Sequence, residues 1–216
     1  MLPSVIIPFM QNPTKPPRPR CARCQRPASH CLCAHIPTVA SHTRVLVLQH
    51  PDESKHPLNT ARLAVLGLQQ AELWVGEHFP ELENRITAVG TAVLLFPASN
   101  ESQLLPAASV KAGARPLLIV PDGTWRKVRK IIQANPLLGT LPRLSLPAGA
   151  PSEYRVRQAR EPAAVSTLEA IVRGLSMLEP EQDFQPLLAP FKVMVEQQIE
   201  AIGPEVYQRN YVDARA

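Results

Sequence analysis

The sequence lacks any apolar run long enough to cross a membrane, and its first ten residues do not join a basic region to a long apolar core. It also has no internal repeat, no Gly-x-Gly-x-x-Gly motif and no phosphate-binding loop of the lysine type. These absences argue against a membrane protein and against the ordinary nucleotide-binding classes. We therefore expect a cytoplasmic protein that does not act at a membrane.

The composition is otherwise ordinary for a globular domain of 216 residues, of which 45% are hydrophobic. Lysine and arginine outnumber aspartate and glutamate by 23 to 18, and the net charge of +5 favours an anionic partner without identifying it. The 24 prolines are many. They crowd residues 1–20, which cannot form a packed core, and we expect a flexible segment there.

The four cysteines, Cys21, Cys24, Cys31 and Cys33, all lie within thirteen positions. Two disulfides would also close this segment, but in a chain without a secretory signal such spacing more often indicates a metal site. Four thiolates suit tetrahedral Zn²⁺ and leave no coordination position open, which predicts a structural zinc module over residues 21–40. Nearby histidines are competing ligands. The arginines around the cluster fit contact with nucleic acid or a solvated surface equally well.

An apolar strand that ends in a polar turn organises the rest of the chain. Residues 117–120 are consecutive apolar residues, which predicts a strand buried on both faces, and Pro121 has no N–H for further pairing. Asp122 and Gly123 then form a turn, and residues 124–132 show helical spacing. Ligands of open α/β sheets bind at such strand ends. Asp122 has the alternative role of a helix cap.

Similar units of strand, polar loop and helix recur along the chain and predict an α/β fold. The predicted strands cover residues 43–49, 72–75, 91–96, 117–120, 141–146 and 153–157. Helices are predicted at residues 60–66, after residue 100, at residues 124–132, at residues 167–177 and, as a final amphipathic helix, at residues 186–202. Taken by itself, Asn59 is interpreted as the cap of the helix at residues 60–66. Ser166 and Glu169 have the spacing of a capping box at the start of the helix at residues 167–177.

Together these segments resemble the DTW-domain family. The resemblance rests on the cysteine cluster and on three further motifs, His50-Pro51-x-Glu53 running into Asn59-Thr60, Asp122-Gly123-Thr124-Trp125, and Ser166-Thr167-x-Glu169-Ala170. It covers about residues 20–180. It implies a catalytic domain over residues 41–185, with a helical tail at residues 186–216.

The resemblance implies a tRNA-uridine aminocarboxypropyltransferase, which moves the 3-amino-3-carboxypropyl group of S-adenosylmethionine to N3 of a tRNA uridine and releases methylthioadenosine. It also implies a SPOUT-like sheet with a knotted cofactor site, a topology that the strand pattern does not itself predict. The donor-binding positions that it implies are Asn59, Thr60, Pro97, Ser99, Pro121, Gly123, Thr124, Trp125, Ser166 and Thr167.

The implied reaction needs a general base, because uridine N3 is a poor nucleophile until its proton leaves. Asp122 is the first candidate, with Glu53 and Glu169 as the second. Trp125 is interpreted as a core residue, with stacking on adenine or uracil as the alternative. Arg155 or Arg157 would bind the donor carboxylate or a phosphate. The candidate substrate-binding residues are His50, Arg126, Arg129, Lys130, Arg155 and Arg157.

Two other functions fit the same residues. A SPOUT-like RNA methyltransferase would use the same donor but transfer a different carbon. A zinc-containing RNA-binding protein without catalytic activity would explain the charge and the cysteines, but it would give no role to the polar loops at the strand ends.

Overall fold

The computed structural model describes residues 19–56, 58–98, 100–105, 116–147, 151–156 and 165–213. Most of the predicted flexible segment at residues 1–20 lies outside these ranges, as do Ser99 and Arg157. The strands are β1 Arg44–Gln49, β2 Ala71–Val75, β3 Ala92–Leu95, β4 Leu117–Asp122 and β5 Arg143–Leu144. The α-helices are α1 Pro51–Ser54, α2 Thr60–Gly67, α3 Leu82–Val89, α4 Trp125–Ala134, α5 Leu137–Thr140, α6 Thr167–Leu178, α7 Ala189–Ile202 and α8 Pro204–Tyr207.

The five strands form one parallel sheet in the order β2-β1-β4-β3-β5. Strands β1, β3 and β4 are almost wholly buried, as expected for a parallel sheet that is covered on both faces. The predicted α/β class, with a sheet flanked by helices, is therefore confirmed.

Helices cover both faces of the sheet, and each face has its own apolar core. One core joins the sheet to α2, α6 and α7 through Leu63, Ile171 and Phe191. The other core joins it to α3 and α4 through Leu82 and Ile131. Helix α2, the second helix after β1, and helix α4, which follows β4, therefore lie on opposite faces, although β1 and β4 are neighbours. Such a reversal is the switch point at which open α/β sheets bind ligands.

The cysteine segment packs directly against this domain. Leu32, which lies between the second pair of cysteines, is fully buried in the core that contains α7. Arg26 donates hydrogen bonds to the His30 carbonyl at 3.0 Å and to Gln197 Oε1 on α7 at 3.4 Å. Further along the chain, Val39 forms a parallel bridge with Leu68 after α2. Perturbing this segment will therefore disturb the core beneath it.

The predicted sixth strand at residues 153–157 is wrong over the part of it that the structure describes. The Glu153 N–H donates to Glu169 Oε1 at 2.8 Å, and the Arg155 N–H donates back to the Glu153 carbonyl at 2.8 Å. A tight turn therefore uses the backbone N–H groups that hydrogen bonds to a neighbouring strand would need. Tyr154 instead packs edge-on against Phe191 at 5.2 Å between ring centroids.

Other boundaries differ by a few residues. The fifth strand shortens to Arg143–Leu144 because prolines flank it at positions 142 and 147. The predicted helix after residue 100 is one 3₁₀ turn, Glu101–Gln103. Strand β4 continues through Pro121 to Asp122, because the Asp122 carbonyl still accepts from the His50 N–H at 3.0 Å. Over the described part of the chain, every helix is too short or too polar to cross a membrane.

Candidate active site at the ends of β1 and β4

Asp122 lies at the switch point, at the carboxyl end of β4 and in register with Gln49 at the end of β1. The residue is 9% exposed. Oδ2 accepts a hydrogen bond from Gln49 Nε2 at 2.7 Å, and Oδ1 accepts one from the Thr167 hydroxyl at the start of α6. A buried carboxylate that accepts from two such donors is held in one orientation. Segments far apart in the sequence therefore converge on Asp122.

Gln49 links Asp122 to Asn59 and was not singled out by the sequence. Its Nε2 donates to Asn59 Oδ1 at 3.1 Å, and its Oε1 accepts from Asn59 Nδ2 at 3.1 Å. Asn59 also caps α2, because its Oδ1 accepts from the Arg62 N–H at 3.0 Å. The capping role predicted for Asn59 is confirmed. Beside it, Thr60 is a buried residue in the first turn of α2.

Gly123 lets α4 start close to the end of β4. Its φ of 157° is unusual for other residues, and an added Cβ would lie 3.0 Å from Lys127 Cβ and 3.5 Å from His50 Cβ. Thr124 is the exposed N-cap residue of α4, and its side chain makes no capping hydrogen bond. The N-cap position of α4 is therefore Thr124 and not Asp122.

Glu53 is neutralised by a cation that the sequence did not single out. Lys127 Nζ lies 2.9 Å from Glu53 Oε1 and 3.3 Å from Asp52 Oδ2. The hydrogen bond from Lys127 lowers the pKa of Asp52, and the hydrogen bond to Glu53 raises the pKa of Lys127. Glu53 is thus an ion-pair partner at this site. Asp122 accepts hydrogen bonds from Gln49 and Thr167.

His50 is buried and held from both ring nitrogens. Its Nδ1 accepts from the Asp52 N–H at 3.3 Å, which caps α1, and its Nε2 lies 2.7 Å from Glu77 Oε1. The first bond requires an unprotonated Nδ1, so Nε2 carries the proton that Glu77 accepts. Glu77 in turn lies 3.5 Å from Lys130 Nζ. His50 therefore anchors the loop after β1, and Glu77 is a partner that the sequence did not indicate.

Glu169 is fully engaged in structure. The predicted capping box is present, with Ser166 Oγ accepting from the Glu169 N–H and Glu169 Oε2 accepting from the Ser166 N–H at 2.7 Å. The carboxylate also accepts from Ser152 Oγ at 2.7 Å and from the Glu153 N–H at 2.8 Å. It ties the start of α6 to residues 151–156.

Trp125 begins α4 and is 45% exposed, so the interpretation of this residue as core is wrong. Its indole packs edge-on against Phe96, with 5.7 Å between ring centroids. The Arg143 guanidinium lies 5.3 Å from the Phe96 centroid and donates to the Pro97 carbonyl at 2.8 Å. The buried side of α4 carries Val128 and Ile131 instead. An aromatic surface is therefore open at the ends of β3 and β4.

Three cations of α4 are exposed and form what we call the basic face of α4, namely Arg126, Arg129 and Lys130. They lie opposite the buried Val128 and Ile131, as the helical spacing predicted. Arg155 lies elsewhere and pairs with Glu196 of α7 on the surface. The structure therefore does not bring Arg155 to the carboxyl ends of β1 and β4.

The four cysteine sulfurs converge at the N-terminal end of the described chain. Sγ of Cys21 lies 3.5 Å from that of Cys33, and Sγ of Cys24 lies 3.8 Å from that of Cys31. All four lie within 4.8 Å of one another. Zn–S bonds of about 2.3 Å in a regular tetrahedron give S···S edges of about 3.8 Å, so the cluster has the dimensions of a tetrathiolate metal site.

The thiols of this cluster also have opposed proton affinities. Hydrogen bonds from the backbone of Cys24 and Arg23 lower the pKa of Cys21 to about 6. Desolvation is the main cause that raises the pKa of Cys33 to about 12, and hydrogen bonds with the neighbouring thiols contribute less. Four adjacent thiolates repel one another, and a cation among them removes that penalty. The donor set therefore fits a soft divalent metal.

The switch point of this parallel sheet brings together the buried Asp122 carboxylate, the Gln49 and Asn59 amides and the start of α6. Such an arrangement defines an α/β protein with an open sheet that binds a ligand at its strand ends. The chain matches the DTW domain over residues 18–199. It therefore belongs to the DTW-domain family, as the sequence motifs predicted.

Three relatives are similar to this chain over most of its length. The chain is 32% identical over 193 residues to tRNA-uridine aminocarboxypropyltransferase 2 of Drosophila melanogaster, covering 85% of this chain and 76% of that protein. It is 30% identical to the protein of the same name from Macaca fascicularis, of which it covers 64%. It is 29% identical to tRNA-uridine aminocarboxypropyltransferase A of Arabidopsis thaliana, of which it covers 82%, and each match spans 85% of this chain. No solved structure matches the chain significantly.

Proposed function

We propose that this protein transfers the 3-amino-3-carboxypropyl group of S-adenosylmethionine to N3 of a tRNA uridine. The names of its relatives support a tRNA-uridine substrate. The observation that carries the proposal is the convergence of three family motifs at the switch point, where Gln49 joins Asn59 to Asp122 and the Thr167 hydroxyl donates to Asp122.

Asp122 acts as the general base in this proposal. It takes the proton of uridine N3, which turns a poor nucleophile into a good one. Of the three candidate carboxylates, Glu169 is engaged in capping α6 and Glu53 is paired with Lys127. Asp122 accepts hydrogen bonds from Gln49 and Thr167 at a strand end, on two different elements. This placement favours Asp122, because a base acts best when its orientation is fixed.

The donor fits the same edge of the sheet. When bound, it supplies a carbon with a good leaving group, so that N3 bonds to the γ-carbon while the carbon–sulfur bond breaks and its electron pair returns to sulfur as neutral methylthioadenosine. Trp125 offers an exposed indole for adenine, with Phe96 behind it. Asp52 and Glu53 share one cation, Lys127, so this group of three side chains keeps one net negative charge, which would favour a positive sulfonium nearby. The chain's task is to present the γ-carbon, and not the methyl, to N3.

Zinc in the cysteine cluster is proposed as a structural ion. Cys21, Cys24, Cys31 and Cys33 would hold it, and four thiolates leave no position for a substrate. Its contribution would be to fix the loop that carries Leu32 into the core. A metal held by reduced thiols also supports a cytoplasmic location.

The tRNA is proposed to contact the basic face of α4, which adjoins the site. Lysine and arginine side chains there would neutralise phosphates and position the uridine without reading its sequence. Strand β4 leads directly into this helix, so the backbone of the RNA and the reacting base would be held by one element.

A knotted path at the donor site is proposed from the family relationship. Strand β5 lies at the edge of the sheet, beyond β3, yet α6 begins against Asp122 on the central β4. This separation between the end of β5 and the start of α6 is compatible with a knot at this site.

The test is incubation of the purified protein with bulk tRNA and S-adenosylmethionine, followed by mass analysis of the nucleosides. We expect uridine carrying an aminocarboxypropyl group, together with methylthioadenosine. Uridine carrying only a methyl group would show instead an RNA methyltransferase. If no nucleoside changes while the protein binds tRNA, the chain is an RNA-binding protein without this activity.

A further inference from the structure

We propose that Gln49 is a positioning residue that sets the direction of the Asp122 carboxylate, and that Asn59 sets the direction of Gln49. This inference rests on the proposed function for its catalytic part. Its structural part concerns a relay of side-chain amides that runs from the cap of α2 to the candidate base.

Gln49 is a glutamine where the strand pattern calls for an apolar residue. It is 0% exposed, and it lies on the same face of β1 as the buried Val45 and Val47. Burying a primary amide is costly unless its groups are hydrogen-bonded. Both ends of this amide are bonded, to Asn59 and to Asp122. The packing of β1 alone does not explain a glutamine here, whereas the two partners do.

The direction of the relay is fixed at its first member. Asn59 Oδ1 accepts from the Arg62 N–H at 3.0 Å, because the first turn of α2 needs an acceptor at its cap. Asn59 Nδ2 therefore points the other way and donates to Gln49 Oε1 at 3.1 Å and to the Glu53 carbonyl at 3.3 Å. Rotating this amide by half a turn would lose all of these bonds.

Gln49 passes this direction on to Asp122. Since its Oε1 faces Asn59 Nδ2, its Nε2 faces the Asp122 carboxylate and donates to Oδ2 at 2.7 Å. The opposite orientation of the amide would bring two acceptor oxygens together at that distance. On the other carboxylate oxygen, Thr167 of α6 donates its hydroxyl. Donors from β1 and α6 thus fix the plane of the Asp122 carboxylate.

A double-mutant cycle on the transfer rate tests whether Gln49 acts through Asp122. Gln49→Met keeps the length and apolar fit but removes the amide. At saturating donor we expect a single-turnover rate about 10-fold to 100-fold lower, the usual cost of misplacing a reacting group by about an ångström, with donor affinity unchanged. In an Asp122→Asn background the same change should alter the rate by no more than about 2-fold. Equal losses in both backgrounds would overturn the proposal.

Gln70→Met is the matched control, because Gln70 bonds to Ser41 and Arg44 at the opposite end of β1. Its rate should stay within about 2-fold of the wild-type rate. Should Gln49→Met not fold, Asn59→Ser replaces it in the cycle. Serine keeps a good cap for α2 but withdraws the donor that orients Gln49. A coupling with Asp122→Asn is again expected, and strictly multiplicative effects would overturn the proposal.

A second cycle separates this inference from the proposed function. Unfolding equilibria of Gln49→Met, Asp122→Ala and the double variant should show a coupling of about 10-fold in the unfolding constant. The reason is that Gln49→Met leaves Asp122 without one of its donors, and Asp122→Ala leaves the Gln49 amide without its acceptor. Should the wild-type protein transfer nothing to tRNA, the proposed function fails, and this coupling alone decides on the relay. Additive unfolding effects would show that the two side chains do not hold each other and would refute it.

Discussion

Replacing Asp122 by asparagine distinguishes the role of Asp122 as a proton acceptor from its role in holding the structure of the site. The asparagine oxygen can accept from Gln49 Nε2, as Oδ2 of the aspartate does at 2.7 Å. The amide nitrogen then faces Thr167, whose hydroxyl is able to accept as well as to donate. Asp122→Asn therefore keeps both contacts, and we expect the unfolding free energy to change by less than about 1 kcal/mol.

The same change removes the proton acceptor. A positioned general base contributes about 10²-fold to 10⁴-fold to a rate, and we expect Asp122→Asn to slow single-turnover transfer by that factor. Donor and tRNA affinities should stay close to the wild-type values. Asp122→Ala is a poorer probe, because it leaves Gln49 and Thr167 without their acceptor and costs about 1–3 kcal/mol for each stranded group.

The assay is rapid-quench transfer with protein in excess over tRNA, alongside calorimetric donor binding and thermal melting. An unchanged rate in Asp122→Asn would refute the assignment and direct attention to Glu53. A loss of donor affinity with a normal bound-state rate would make Asp122 a binding residue. A much lower melting temperature would show that its role is structural.

Further predictions concern the zinc site, the RNA contact, the aromatic surface and the capping box. Cys24→Ser should lose the metal and melt earlier, since structural zinc supplies folding free energy, and folded wild-type protein with well under one zinc per chain would contradict this. Replacing Arg126, Arg129 and Lys130 by glutamine should make the slope of log affinity for tRNA against log salt concentration shallower by up to about 2.7. An unchanged slope would show that the tRNA does not contact the basic face of α4. Trp125→Ala should weaken donor binding about 10-fold in calorimetry with little change in melting, because Trp125 is 45% exposed. Glu169→Gln should lower the unfolding free energy by about 1–3 kcal/mol in denaturant titrations, because it places an amide against backbone donors.

Much of the fold was predictable because strong local signals agree with the tertiary structure. The apolar run before Pro121 predicted the central strand, and the spacing of Val128 and Ile131 predicted the buried side of α4. Ser166 and Glu169 predicted the start of α6 through their capping chemistry. The strand predicted at residues 153–157 was wrong because it rested on an alternating pattern alone. In the structure the Glu153 N–H donates to the Glu169 side chain and is not available to a neighbouring strand.

The sequence singled out several residues that lie at the ends of β1 and β4, but it did not indicate the contacts between them. Asp122 and Asn59 stood out because polar residues followed a strand or preceded a helix. Gln49 looked like the end of an apolar strand, and Lys127 looked like one more cation on a basic helix. Their roles depend on partners that lie 73 and 74 positions away, and no local pattern carries such a pairing.

The most direct test of the central claim is to follow two labels of the donor into tRNA. One sample of S-adenosylmethionine carries the label in the S-methyl group, and the other carries it in the carbons of the aminocarboxypropyl group. The wild-type protein should transfer only the second label to uridine N3, and Asp122→Asn should transfer it about 10²-fold to 10⁴-fold more slowly. Transfer of the methyl label, or transfer of neither label under conditions where donor and tRNA both bind, would contradict the account.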